Sequence, residues 1–363
     1  MLGGWAPGGA RNPVAAGAVA YFRWLNARGG VRGHRIVYRV LDDRNDRRVV
    51  PSLVHRLVQG DAVFAVFGAV GAQGTAVTGF LDSAGVPDVF AGSGCSCVNE
   101  PARMPEVFGW PLGDVREGKI LGAYVARHYA GEKIAVAYRP DAAGRNGLAG
   151  FVATARGVRV AAKVAVAGPA GAAAAVHAAK AVGVTVIVAF TPARVTAKLA
   201  ASVQVPLVTS GSGLAAGLPD GVITDGFLPS AGAPADSPAG SWVRLFRKIG
   251  ARYLPGMPLS PAVIDGMASA YEMAAALFRA GVNLTRPGLV AALRSLPAGP
   301  AGVPLAYSAA DHGGPKGAYI GVIRGGVLVP STGQLVTTAA RMGPVTPFAG
   351  RWPPAPPAGV PTR

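Results

Sequence analysis

Short apolar runs that suit buried strands alternate along this chain with stretches whose apolar residues recur every three or four positions. The clearest example is DAVFAVFGAVGAQGTAVTGFLDSAGVPDVFAGSG, residues 61–94. Residues 62–67 are continuously apolar, as in a strand buried on both faces of a parallel sheet. Gly68, Gly71 and Gly74 then permit sharp turns. Val77, Phe80 and Leu81 follow at helical spacing, residues 86–90 form a second strand, and AGSG ends it. Two turns thus leave the carboxyl ends of neighbouring parallel strands, the edge at which open α/β sheets bind ligands. Turn NH groups there favour polar or anionic ligand atoms. Simple tight turns are the competing reading. The spacing GxxGxxG is not a dinucleotide fingerprint and no GK[ST] follows, so no nucleotide is predicted.

The alternation extends in both directions. Residues 1–13 read as a loop. Val14, Ala18, Phe22 and Leu25 share a helical face that Gly29 and Gly30 stop. Residues 34–41 read as a strand ended by Asp42 and Asp43. Val50, Leu53, Val54, Leu57 and Val58 predict a helix capped by Asn45 or Asp46. Residues 99–114 look irregular. From residue 115 the pattern restarts, with a helix through Ile120, Leu121, Tyr124 and Val125. Strands are predicted over 133–138, 158–166, 184–190 and 205–209, and helices over 170–181 and 191–202. Residues 228–240 are rich in Pro and Gly and read as a crossover. Three helices follow, through Trp242, Val263 and Leu289, then a hairpin over 318–329 and a Pro-rich, loosely held tail. The whole predicts an α/β chain with a second lobe beginning near residue 116.

Composition narrows the function. A chain of 363 residues, half of them apolar, is too long for one ordinary core. No apolar run reaches the about 18 residues of a membrane span. The net charge is +17, but arginines are spread from Arg11 to Arg363 without a dense run or interleaved aromatics. A solvated basic face is therefore the reading, an anionic ligand or a charged cell surface is the alternative, and nucleic acid is not a predicted partner. The histidines are scattered, so no metal or cofactor is predicted. Cys95 and Cys97 are either two ordinary thiols or a tight disulfide. Residues 1–13 lack the basic and apolar regions of an export signal.

The runs YFRWLNARGGVRGHRI, LDDRND, RLVQGDAVFAVFGAVG, GVP, FGWPLGDVREGKI and KIAVAYRPDAAGRNGLAGF, in that order, resemble the branched-chain amino-acid binding proteins of ABC transporters. These are type I periplasmic solute-binding proteins. The likeness weakens after about residue 160 and returns in SPAVIDGMASAYEMAAALFRAG and LTRPGLVAALRSL. It implies two Rossmann-like lobes with mostly parallel sheets, joined by a multi-strand hinge. The first would hold residues 1–117 plus 236–304, the second 118–235 plus 305–343, with 344–363 as a tail. It further implies a small solute held between the lobes, ABC permease subunits as partners, a monomer, an extracytoplasmic location and no catalysis.

Two departures shape the expectations. Family members open with an export signal and a first strand inside the first sheet. Here the chain begins about where that strand should have ended. The strand is therefore expected to be missing from between the 34–41 and 62–67 strands, through a start site placed too late. In the pocket, Ala10, Ala72, Gly94, Ala143 and Gly211 stand where the resemblance places hydroxyl, phenol and carboxylate side chains. The first lobe is expected to offer Ala72, Gln73, Gly74, Thr75, Ser93 and Gly94. The second would offer Asp141, Ala143, Phe190, Thr191, Gly211 and Ser212. Asp141 is the one nearby acid for an ammonium group, so a small amide or organic acid is expected over free leucine, isoleucine or valine. A ligand-sensing domain of the same fold is the second reading. An enzyme using Asp42 with Asp43, or Asp141 near Arg139 and Arg145, comes last, since acids at strand ends are more often caps.

Overall fold

The computed structural model describes residues 1–70, 75–214 and 217–361. Its elements begin β1 (Leu2–Ala6), α1 (Pro13–Asn26), β2 (Tyr38–Asp42), α2 (Val50–His55), β3 (Ala65–Phe67), α3 (Thr75–Ser83), β4 (Asp88–Ala91) and β5 (Val107–Gly109). Then come α4 (Asp114–His128), β6 (Lys133–Tyr138), α5 (Ala142–Thr154), β7 (Arg159–Ala165), α6 (Gly171–Ala181), β8 (Val186–Phe190), α7 (Ala193–Ala200), β9 (Leu207–Thr209) and β10 (Ile223–Gly226). The chain closes with α8 (Pro238–Tyr253), α9 (Pro261–Ala280), α10 (Arg286–Leu293), β11 (Gly317–Arg324), β12 (Val327–Pro330), β13 (Leu335–Val336) and β14 (Thr346–Pro347). Mixed α/β character with mostly parallel sheets is what the pattern predicted. The helix at α2 starts later than expected: Asp46 Oδ1 accepts from the Arg48 amide, and Val49 precedes the helix without a side-chain cap.

Two compact units emerge, one of Met1–Pro111, Ala233–Pro315 and the segment from Arg351, the other of Leu112–Gly232 and Lys316–Gly350. Residues 305–315, which the sequence reading gave to the second lobe, belong to the first. Tyr307 donates its hydroxyl to Gly109 O at 2.6 Å, and the His312 amide donates to Asn99 Oδ1 at 2.6 Å. The Pro-rich end is pinned rather than loose. Trp242 Nε1 donates to Pro353 O at 2.8 Å, the Ala355 amide to Ser241 Oγ at 2.8 Å, and the Tyr21 hydroxyl to Gly359 O at 3.0 Å.

The first unit carries a five-stranded parallel sheet in the order β2-β1-β3-β4-β5. The strand expected to be missing is present. β1 lies between β2 and β3, with Leu2 opposite both Tyr38 and Ala65. Its glycines had read as loop, but here they answer to packing. A Cβ on Gly3 would sit 2.8 Å from Leu57 Cδ2 and Val63 Cγ1, and one on Gly4 would sit 2.6 Å from Phe67 O. Trp5 anchors the strand in a core with Val50, Val54, Leu57 and Val66. β5 falls in the stretch read as irregular, because three residues are too few to show a period.

Four helix starts in this unit, those of α1, α8, α9 and α10, follow a common rule. Asn12, Ser237, Ser260 and Thr285 each accept a first-turn amide, and each precedes a proline in the first or second helical position. α1 and α9 then pack closely through small residues. A Cβ on Gly266 would lie 1.8 Å from Val14 O, and one on Gly17 2.3 Å from Val263 O. Both obstacles are backbone, which cannot rotate away. Gly266→Ala is therefore expected to destabilise the first unit by about 2–3 kcal/mol, the scale of overpacking, read by urea denaturation. An unchanged midpoint would show that the helices can separate without penalty.

The second unit holds a sheet in the order β14-β13-β11-β10-β9-β8-β6-β7, with β12 paired to β11. β6 to β10 are mutually parallel. The predicted hairpin is present as β11 and β12, closed by Gly325 and Gly326 with φ of +56 and +76, a two-residue turn that needs φ > 0 at both positions. Ile134, Val136, Phe151, Val188 and Val208 centre its core.

Candidate functional site

In each unit, described residues of the predicted site lie in the turns at the carboxyl ends of parallel strands. In the first unit the turns after β3 and β4 run side by side. Val70 bridges Gly92, and the Gly92 amide donates to Ala69 O at 3.0 Å. A Cβ on Gly92 would stand 2.6 Å from that oxygen, so only glycine permits the approach. Just before it, the register of β4 shifts between Val89 and Ala91, and Phe90 has φ +62. A bulky residue in left-handed backbone is strained, and such bulges re-aim the chain beside binding edges. No sequence signal announced it.

Ser93 and Gly94 follow, both half-buried. Ser93 Oγ accepts from the Cys95 amide at 3.2 Å, so the hydroxyl stiffens the turn while keeping its proton to give. Cys95 and Cys97 are both half-buried in the turn that follows. Cys95 Sγ accepts from the Cys97 amide at 3.2 Å. Thr75 opens α3, and Ala72, Gln73 and Gly74 lie outside the described residues. Ala10 is exposed in a short helical turn after β1.

In the second unit β6, β8, β9 and β10 end on one edge. Asp141 stands there as the cap of α5. It accepts from the Gly144 amide at 3.1 Å and pairs with Arg139 Nη2 at 2.5 Å. Partial burial raises its carboxyl, but Arg139 and the Gly144 amide outweigh this and hold it below the usual range. Its oxygens are therefore engaged within the loop. Ala143 is half-buried in the first turn of α5. Phe190 belongs to the core, edge-on to Phe151 with ring centroids 6.1 Å apart. Thr191 is fully buried, its hydroxyl 2.8 Å from that of Thr196, which in turn donates to Thr191 O. Neither Phe190 nor Thr191 presents a side chain at the edge. Ser212 is exposed, and its Oγ lies 2.8 Å from Ser210 Oγ.

The residues that sequence reasoning missed meet at Gly211. Its amide donates to Glu117 Oε1 and to Asp225 Oδ1, both at 2.8 Å. Glu117 comes from the first turn of α4 and Asp225 from β10, and both are buried. Burial drives the Glu117 carboxyl well above its ordinary range, and the charges of Asp225 and Asp114 push it further. Burial likewise raises Asp225, against the pull of the Gly211 amide. The two carboxyls are coupled, so burial and their mutual repulsion favour keeping a proton on the pair. One signal was legible: Glu117 lies three and four residues before Ile120 and Leu121, on the apolar stripe of α4.

Among the described residues no group of three or more His, Cys, Asp or Glu could hold a metal ion, and no helix is long and apolar enough to cross a membrane.

The family model described as a periplasmic binding protein matches residues 3–327. No curated protein matches the chain. Among solved structures, a substrate-binding periplasmic protein from Ralstonia solanacearum is similar at 21% identity, TM-score 0.74, covering 90% of this chain and 99% of its own. A branched chain amino acid ABC transporter protein from Thermus thermophilus with bound valine is similar at 18% identity and TM-score 0.74, covering 93% and 96%. A solute-binding protein of an ABC transporter from R. palustris, in complex with benzoate, is similar at 19% identity and TM-score 0.73, covering 96% and 97%. At these identities the likeness is one of fold.

Proposed function

The chain belongs to the periplasmic binding protein family, and on that premise we propose that it captures a small polar solute outside the cytoplasm and delivers it to ABC permease subunits. The observation that carries this reading is the family match over residues 3–327. The glycine-bearing turns around Gly92 and Gly211 stand at the carboxyl ends of parallel strands, the edge at which open α/β sheets bind ligands. Structural neighbours hold ligands as different as valine and benzoate, so the fold does not dictate the solute.

The second unit's acids support a narrower class. Asp141 is engaged by Arg139 and Gly144, and Glu117 and Asp225 are engaged by each other and by Gly211. An ammonium group needs an available carboxylate or several acceptors. A small amide or organic acid therefore fits better than a free branched-chain amino acid. Titration calorimetry is expected to show weak or no binding of leucine, isoleucine and valine, and at least about ten-fold tighter binding of a compound from an amide and organic-acid panel. A thermal-shift screen would choose that compound, because bound ligand raises apparent stability. Tight leucine binding that Asp141→Ala abolishes would overturn the ligand class.

A further inference from the structure

Charge is segregated in the first unit. Residues 1–41 contain Arg11, Arg23, Arg28, Arg32, Arg35 and Arg39 and no acid, and residues 237–264 contain Arg244, Arg247, Lys248 and Arg252 and no acid. Spread along the sequence, these cations had read as scattered. The fold brings several together, because α1 packs against α8 and the loop after α1 reaches the end of α9.

Their meeting point is a cleft of about 420 Å³ lined by Arg23, Asn26, Ala27, Arg35 and Tyr253. Arg28 stacks over Trp24 with Cζ 3.2 Å from the ring centre, Lys248 approaches the same ring at 5.6 Å, and Arg252 lies 5.5 Å from the Tyr253 ring. Among the described residues no carboxylate forms an ion pair with Arg23, Arg28, Arg35, Lys248 or Arg252. Last-turn cations on α1 and α8 complement two helix ends, but that accounts only for Arg23 and Arg252.

Two exposed aliphatic side chains lie close by in the chain. Val37, 57% exposed, comes two residues after Arg35. Val282, 62% exposed, follows the end of α9, where Arg32 Nε donates to Phe278 O. A soluble polyanion gains nothing from exposed valines. A lipid surface offers phosphates to the cations and an acyl boundary to the valines.

We propose that this face of the first unit docks on an anionic phospholipid surface, with a headgroup phosphate seated between Arg23 and Arg35. The proposal is independent of the solute and of the carboxyl-edge turns.

Co-sedimentation of the full chain with vesicles tests it. Vesicles of phosphatidylcholine with 30% phosphatidylglycerol, roughly the anionic content of a charged membrane surface, are compared with phosphatidylcholine alone. Binding is expected only to the first, and it should fall steeply as salt screens the contact. The triple variant R23S/R35S/R252S should lose on the order of 100-fold in partitioning. The variant R156S/R159S/R194S removes equal charge from the second unit and should bind nearly as wild type. Circular dichroism of both variants guards against misfolding. Equal loss in both variants would assign the effect to net charge and overturn the proposal. So would absence of vesicle binding, or retention on heparin without vesicle binding, which would assign the face to a soluble polyanion.

Discussion

Asp88→Asn is expected to raise the stability of the first unit by about 1–3 kcal/mol at pH 8 and to leave it unimproved at pH 4. Asp88 opens β4, is fully buried, and neither carboxylate oxygen has a hydrogen-bond partner among the described residues. Burial alone raises its carboxyl from 3.8 to about 7. The folded-state value is thus above the unfolded one. The associated stability is fully present below about pH 4 and is lost as pH rises through about 7. A shift of that size corresponds to about 4 kcal/mol at 1.36 kcal/mol per unit. An asparagine keeps the shape without the charge, but its own unpaired amide costs about 1–3 kcal/mol, which leaves the smaller net gain.

Asp265 and Glu272, raised by burial to about 6 and about 8, add slopes of the same sign in this unit, so the informative quantity is variant minus wild type. The probe is convenient: Trp5, Trp24, Trp110, Trp242 and Trp352 all lie in the first unit, and their fluorescence in urea reports it alone. A difference between variant and wild type that does not change from pH 4 to pH 8 would show that Asp88 reaches a counter-charge or water.

The sequence made the repeating architecture legible because period does not depend on tertiary context. The runs at β6 and β8 alternate with the stripes of α4 and α6, and those elements lie where the pattern put them. Failures came where tertiary contact overrides local composition. β1 is rich in glycine because Leu57, Val63 and Phe67 leave no room for side chains, a reason visible only after folding. Phe90 gives no hint in sequence of its left-handed backbone. At the candidate site, Asp141 and Thr191 were chosen for chemistry and position, yet local partners claim both. Glu117 and Asp225 are far apart in the chain, and only the arrangement of α4 and β10 brings both to Gly211.

That pair carries the second large expectation. Glu117 and Asp225 hold the turn after β9 through one amide, and a proton kept on the pair avoids two adjacent buried charges. Groups coupled to them include Asp114, one turn back on α4, and Tyr319 of β11. Neither supplies a positive charge, and Asp114 raises Glu117 further. Both acids have folded-state values above their unfolded ones. Their contribution is therefore fully present below about pH 4 and lost as pH rises through the raised values, when the second proton leaves and like charges repel. Because the sites are coupled, the loss belongs to the pair and not to either residue.

Hydrogen exchange at the Gly211 amide, expressed as a protection factor so that intrinsic rates cancel, should therefore fall between pH 5 and pH 9 in the wild type. Glu117→Gln supplies a permanent amide donor to Asp225 and keeps an oxygen for Gly211. It should hold protection nearly level, at least about ten-fold above wild type at pH 9, equivalent to about 1.4 kcal/mol. Asp225→Ala removes one acceptor and should lower protection at every pH by about 1–3 kcal/mol. Wild-type protection that stays constant over this range, or a Glu117→Gln variant that loses it as steeply as wild type, would show that no proton kept on the pair governs the turn.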